Sequence, residues 1–195
     1  MTQFLGYKNY GDEYKIMGLA ASGEPIYFEK IKENLFKKNN QLFDLNLDFF
    51  NHHRKKFRYI ADENLTIDEI FNSKLKKLFS KEMSHEGFEK NFACSVQKTY
   101  EFFFKKIINK IIKENYSKNI VYSGGCALNS SANKFITDKN DKFQSIFINC
   151  APGDNGGALG AAFVVATSYN LKLTNITTPY LGKEFSKNHI KKILE

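Results

Sequence analysis

Two stretches read together decide the fold. The first is Asn119-Ile120-Val121-Tyr122-Ser123-Gly124-Gly125-Cys126-Ala127-Leu128-Asn129. The second is Ser145-Ile146-Phe147-Ile148-Asn149-Cys150-Ala151-Pro152-Gly153-Asp154-Asn155-Gly156-Gly157-Ala158-Leu159-Gly160-Ala161-Ala162. In each, a short apolar strand runs into a Gly-rich turn that opens a helix. Two consecutive strand–turn–helix units predict a right-handed crossover, with both turns at one carboxyl edge of a sheet, where open α/β folds bind ligands. Glycine lets backbone approach a phosphate or ribose there, and the N–H groups that open each helix face the anion. A nucleotide suits such an edge. Neither turn is a Walker A loop or a G-x-G-x-x-G fingerprint, so neither a P-loop NTPase nor a Rossmann dehydrogenase is indicated.

Upstream of this pair, Phe88 to Asn115 carries a broad apolar stripe at helical spacing, including Phe88, Phe92, Val96, Phe103, Phe104 and Ile108. It predicts a core helix that leads directly into the Ile120 strand. Cys94, beside the stripe, reads as a small buried hydrophobe. Further upstream, Pro25 predicts the first turn of a helix to about Lys37. The alternation of Phe43, Leu45, Leu47 and Phe49 with Asp44, Asn46 and Asp48 predicts a half-buried strand, and Leu65 to Phe79 a short amphipathic helix. Downstream, Ala158 to Tyr169 reads as a helix of small residues, Thr177 to Gly182 as a linker and Phe185 to Leu194 as the start of another helix.

The 195 residues are 42% apolar, enough for a core, and no apolar run is long enough to span a bilayer. No secretory pattern follows Met1, so a cytoplasmic location is expected. Three cysteines without a Cys-x-x-Cys give neither a disulfide framework nor a zinc site. The net charge of +8 comes from scattered lysines, with Arg54 and Arg58 the only arginines. Arginine is the preferred fork for phosphate and guanine, so a nucleic-acid partner is not expected. His52 and His53 are adjacent, and neighbouring residues rarely both reach one ion, so they read as part of a solvated basic loop rather than as metal ligands.

Near the start, Gly11-Asp12-Glu13-Tyr14-Lys15-Ile16-Met17-Gly18-Leu19-Ala20 gathers two acids, a lysine and two glycines, with Gly23 close behind. Glu13 can accept from ribose hydroxyls and Lys15 can serve as a point charge for phosphate; a capped surface turn with a solvated ion pair is the alternative.

Taken in order, the Gly11 stretch, Gly124-Gly125-Cys126-Ala127-Leu128-Asn129, Gly153-Asp154-Asn155-Gly156-Gly157-Ala158-Leu159-Gly160 and Tyr180-Leu181-Gly182 resemble the NodU/CmcH family of O-carbamoyltransferases. Ala93-Cys94-Ser95-Val96-Gln97 on the long helix is a further landmark. The resemblance implies an actin-like (ribonuclease-H-like) ATPase lobe, α/β with a parallel or mixed sheet flanked by helices, related to the enzyme of tRNA threonylcarbamoyl-adenosine synthesis. A separate domain of that family makes carbamoyl-adenylate from carbamoyl phosphate and ATP, and the actin-like domain passes the carbamoyl group to a substrate hydroxyl. The division expected is a second lobe over residues 1–176 and, over 177–195, a linker and the start of the adenylate-forming domain.

Carried over residue by residue, the resemblance implies that Asp154 is catalytic as a ligand of a divalent metal, iron. Gly124, Gly125, Asn129 and Gly153 would hold ATP or carbamoyl-adenylate, with Glu13 and Gly23 near its ribose or adenine and Lys15 neutralising phosphate. The residues themselves also allow Asp154 to be a helix N-cap and Asn129 to make a local turn bond. Cys126 stands where the family has Val, and reads as a packing residue; Cys150 stands where it often has Pro. The family's His-x-x-x-His metal pair, which precedes the Gly11 stretch, has no counterpart here. The expectation is therefore an incomplete metal site, little transfer activity alone, and a need for other parts, such as a separately encoded N-terminal half. The alternatives are a threonylcarbamoyl transferase-like protein of tRNA modification and a non-catalytic nucleotide-binding remnant.

Overall fold

A 27-residue helix, Phe88–Glu114, organises most of the structure. It opens after Gly87, whose φ of 73° is readily reached only without a Cβ, and closes at Asn115, left-handed at φ 52°, whose N–H caps the Ile111 carbonyl. Phe88, Phe92, Ser95, Thr99 and Phe103 are buried at steps of three and four residues, as the apolar stripe requires.

The structure is a computed structural model that describes residues 1–39, 42–56, 58–61, 65–138, 142–172, 180 and 182–195. Its elements in chain order are α1 (Glu13–Ala20), α2 (Phe28–Leu35), β1 (Phe36–Lys37), β2 (Asp44–Leu45), β3 (Tyr59–Ala61), β4 (Leu65–Ile67), α3 (Ser73–Leu78), α4 (Phe88–Glu114), β5 (Asn119–Tyr122), α5 (Ser130–Thr137), β6 (Ser145–Ile148), α6 (Gly156–Ser168) and α7 (Lys187–Leu194). This is a mixed α/β chain. Among the described residues the strands pair two by two: β1 with β2 and β3 with β4, both antiparallel, and β5 with β6. The chain divides into two compact units. One comprises Met1–Asn119 and Asn129–Ser145, the other Ile120–Leu128 and Ile146–Glu195.

The first unit is held by an aromatic core around α4. Phe4 packs against Phe71, Phe79, Phe88 and Phe92 with ring centroids 5.0–6.4 Å apart. Burying each such side chain contributes about 1.5–3 kcal/mol. Ile31 and Leu35 from α2 and Leu75 from α3 complete it. A smaller cluster joins Ile16 and Ala20 of α1 to Ala93 of α4. The buried Ser95 Oγ accepts from the Tyr27 N–H at 2.9 Å and donates to the Asn91 carbonyl, and Thr99 donates to the Ser95 carbonyl, while the buried Tyr27 hydroxyl has no hydrogen-bond partner among the described residues.

Several local expectations are corrected. The alternating stretch 43–49 yields only the two-residue β2, followed by a 3-10 turn over Leu47–Phe49. Asn46 is the reason: its amide donates to the Asn34 carbonyl at 2.7 Å and its oxygen accepts from the Asp48 N–H, drawing the backbone out of the strand. The helix assigned to Pro25 begins later, at Phe28, because Glu24 and Pro25 form a turn pinned to α4 by the Glu24 N–H donating to Asn91 Oδ1 at 2.9 Å. The stretch 65–79 is half strand. Leu65–Ile67 pairs with β3, Gln3 bonds the backbone of Ile67, Asp68 and Ile70, and the helix starts only after Asn72 caps it.

Val121 of β5 and Phe147 of β6 are exposed. The 13-residue α6 follows the second Gly turn, and α7 starts behind a Ser186 cap, within the stretch where a helix was expected. The linker expected at 177–182 lies largely outside the described residues, as does the expected domain boundary at 176. No helix among the described residues is long and apolar enough to cross a membrane.

Candidate functional site

The second unit brings the two Gly turns together. Gly124 adopts φ 100°, a conformation that side-chain-bearing residues reach only with strain, and its N–H donates to the Pro152 carbonyl at 2.7 Å. After it, Gly125–Leu128 form a 3-10 turn. In the second turn, Asn149 Oδ1 accepts from the Ala151 N–H at 2.8 Å, which bends the chain as it leaves β6. A Cβ on Gly156 would lie 2.2 Å from the Ala151 carbonyl oxygen, so only glycine lets α6 begin there. Gly153 sits against Leu128, where an added Cβ would meet a methyl at 3.4 Å.

Beside the joined turns lies a cavity of about 340 Å³. Ser123 and Asn149 give it polar groups, Gly153 and Gly157 give it backbone, and Phe147, Leu159 and Phe163 form apolar walls. Gly124, Gly125, Gly153 and Asp154 all belong to this unit. Asp154 is exposed. It is not the helix cap, a position that Asn155 takes, and its backbone carbonyl accepts from the Gly157 N–H at 3.0 Å.

Glu13, Lys15, Gly23 and Asn129 belong to the first unit. Glu13 is exposed on the first turn of α1. Lys15 pairs with the buried Asp12 at 2.7 Å and lies 5.5 Å from the Tyr7 ring centroid; the Asp12 hydrogen bond raises its pKa. Gly23 has a packing duty: a Cβ there would come within 2.1 Å of the Lys90 carbonyl oxygen on α4.

Asn129 caps α5 through the Ala132 N–H at 3.1 Å. It also exchanges two amide hydrogen bonds with Gln97 of α4, at 2.9 and 3.0 Å. The local bond that its residue type allowed is therefore made, together with a second, longer-range one.

Sequence reasoning missed Ser123 and Asn149 as cavity groups, Gly156 as an obligatory glycine, and Gln97 as the partner of Asn129. An Asn directly after a strand and before a Pro-Gly pair is a turn signal that could have marked Asn149. Of the cysteines, Cys94 is half-buried with its pKa raised chiefly by burial. Cys126 is exposed, which corrects its reading as a packing residue: Ala127 next to it is the residue of that turn that is buried.

His52 and His53 are exposed, with ring centroids 5.8 Å apart. Among the described residues no three His, Cys, Asp or Glu side chains cluster closely enough to hold a metal ion. The donor set for iron is thus not assembled by these residues, and Asp154 could supply only one ligand.

The two strand–Gly turn–helix units belong to a mixed α/β chain. The Carbamoyltransferase N-terminus family model matches residues 1–163, and the chain belongs to that family. Over 206 residues it is 33% identical to the uncharacterized protein sll1178 of Synechocystis sp., covering 100% of this chain and 31% of that protein. To the uncharacterized protein MJ1058 of Methanocaldococcus jannaschii it is 26% identical, covering 100% of this chain and 29% of the relative. To nodulation protein NolNO of Sinorhizobium fredii it is 26% identical over 84% of this chain and 21% of the relative. The chain thus spans less than a third of the length of each.

Proposed function

We propose that this chain is part of an O-carbamoyltransferase of the NodU/CmcH type, and that it supplies one wall of an actin-like site that passes a carbamoyl group from carbamoyl-adenylate to a substrate hydroxyl. The observation that carries the reading is the family match over residues 1–163. Similarity to a nodulation protein favours this branch over the tRNA-modifying one. In the whole protein, carbamoyl phosphate and ATP would reach this wall through other parts of the polypeptide, and the acceptor would be a small molecule bearing a hydroxyl.

The wall would work through backbone. The Gly124-Gly125 turn, held to Pro152, and the Gly153 turn would admit the nucleotide closely, with N–H groups opening α6 directed at negative charge. Asn149 and Ser123 would orient the polar end of the ligand, and Phe147 and Phe163 would exclude water from it. Glu13 would accept from ribose hydroxyls and Lys15 would balance phosphate, drawing its ammonium from Asp12. The iron implied by the resemblance does not fit the described residues as a complete site, and no step is routed through it. Asp154 would become a ligand only with donors supplied from elsewhere in the protein, since several preplaced ligands supply most of the affinity of such sites.

The purified chain should bind a fluorescent ATP analogue weakly and should not turn over carbamoyl-adenylate. Replacing Gly153 with Val, which fills the space beside Leu128, should abolish the binding. Unchanged binding by Gly153→Val would defeat the nucleotide reading. Turnover by the chain alone would defeat the claim that it is one wall of the site.

A further inference from the structure

Three side chains form a hydrogen-bonded line from α4 to the start of α5, all of them half-buried and all within the first unit. Gln97 Nε2 donates to Glu101 Oε1 at 2.9 Å and to Asn129 Oδ1 at 3.0 Å, so both of its protons are engaged. Asn129 Nδ2 donates back to Gln97 Oε1 at 2.9 Å. An amide can be turned over, exchanging donor for acceptor, and here the two ends of the line decide which way each one points. At one end the Ala132 N–H, a fixed backbone donor, requires the oxygen of Asn129 at 3.1 Å. At the other the Glu101 carboxylate only accepts. An inverted Gln97 would set its carbonyl oxygen against the oxygens of both neighbours. Glu101 also has the ordinary partners of a helix carboxylate close in sequence, Lys98 and Lys105, one turn to either side. Among the described residues it pairs with neither, and the Lys105 ammonium lies instead 5.9 Å from the Phe135 ring centroid.

We propose that Glu101 is a positioning residue: by holding one proton of the Gln97 amide it fixes the orientation in which Gln97 meets Asn129, and through it the pose that Asn129 offers to a ligand. The inference rests on the proposed nucleotide role of Asn129. What the line needs at position 101 is an acceptor rather than a negative charge. Glu101→Gln keeps such an oxygen, whereas Glu101→Leu supplies none. Without it nothing on the α4 side opposes an inverted Gln97, and the inverted amide repels the Asn129 oxygen and releases that side chain. Asn129 then has to be ordered each time a ligand binds, which weakens binding on the order of fivefold.

The test takes the whole chain with its Glu101→Leu and Glu101→Gln variants, records the side-chain amide resonances of Gln97 and Asn129 without nucleotide, and titrates each protein with the fluorescent ATP analogue. In the wild type both Gln97 Nε2 protons should resonate downfield of a solvated glutamine amide. Glu101→Leu should return one of them to the solvated position, speed solvent exchange of the Asn129 amide and weaken the analogue about fivefold. Glu101→Gln should reverse most of each change. Four results would overturn the inference. The wild-type Gln97 amide already resembles a solvated one, a result that needs no variant. Exchange at Asn129 is unchanged in Glu101→Leu. Glu101→Gln is as defective as Glu101→Leu, meaning that charge and not an acceptor is what counts. Or exchange quickens in Glu101→Leu while the analogue binds as before, meaning that the pair is held but meets no ligand. If the wild type binds no analogue at all, it is the nucleotide reading that falls, and the amide resonances alone decide whether Glu101 orients the pair.

Discussion

Gly23 offers a direct contest between two roles, nucleotide contact and helix packing. A Cβ at this position meets the Lys90 carbonyl oxygen at 2.1 Å, the Lys90 carbonyl carbon at 2.3 Å and the Asn91 nitrogen at 2.8 Å. All three are backbone atoms of α4, so no rotamer change relieves the clash, and the turn after α1 must retreat by about an ångström. The retreat would break the bond from the Glu24 N–H to Asn91 Oδ1, worth about 1 kcal/mol, and loosen Ile16 and Ala20 against Ala93. Together with overpacking of roughly 1–3 kcal/mol, Gly23→Ala should cost about 2–4 kcal/mol. For a unit of this size that is a fall in melting midpoint of roughly 6–14 °C. Gly18 is the internal control. It lies inside α1 with nothing within 4 Å of an added Cβ, so Gly18→Ala should stabilise by about 0.5–1 kcal/mol. Thermal and urea unfolding followed by helical circular dichroism would compare the two. If Gly23→Ala melts with the wild type and loses only nucleotide affinity, the packing argument is wrong and the ligand role stands alone.

Removing Asn129 takes away both the α5 cap and the Gln97 pair, so Asn129→Ala should cost about 1–2 kcal/mol, and a double-mutant cycle with Gln97→Ala should return a coupling above about 0.5 kcal/mol; strict additivity would contradict the pairing. Gly156→Ala should force the start of α6 away from Ala151, seen as faster amide exchange at Gly157, whose N–H bonds Asp154, and no change there would mean that the turn has more room than its geometry allows. Glu82 is held below the ordinary carboxylate range, chiefly by its hydrogen bond to Lys30. Because the folded value is the lower one, the stabilisation is complete above the unfolded value of about 4.3 and fades as pH falls through the folded value, so Glu82→Gln should flatten the acid limb of a stability profile below about pH 4.3 and leave its slope unchanged near neutrality.

What was legible in the sequence is what depends on periodicity or on glycine. The stripe from Phe88 to Ile108 needed no tertiary information to read as a helix, and the two Gly turns announced where strands give way to helices. Short elements were not legible, because single polar side chains decide them. Asn46 ends β2 by reaching Asn34, and Gln3, more than sixty residues away in sequence, fixes the backbone around Ile67. Long-range partners also escaped at the candidate site. Asn129 read as a nucleotide contact, with a local turn bond as the alternative, and nothing local to it points to Gln97, 32 positions earlier. Gly23 and Gly156 look like any loop glycine until the neighbouring carbonyl is seen.

The amide pair of Asn129 and Gln97 has an energetic meaning of its own. A ligand arriving at Asn129 competes with another amide for both its donor and its acceptor, whereas a solvated side chain would offer it only loosely held water. One that brings a single hydrogen bond in return leaves Gln97 its bond to Glu101 but takes the donor from its carbonyl oxygen, and is discriminated against. Only a group able to replace both bonds, or to give Gln97 a new partner at the same time, would be accepted without loss, so on the proposed nucleotide role of Asn129 this exchange of partners would act as a chemical filter.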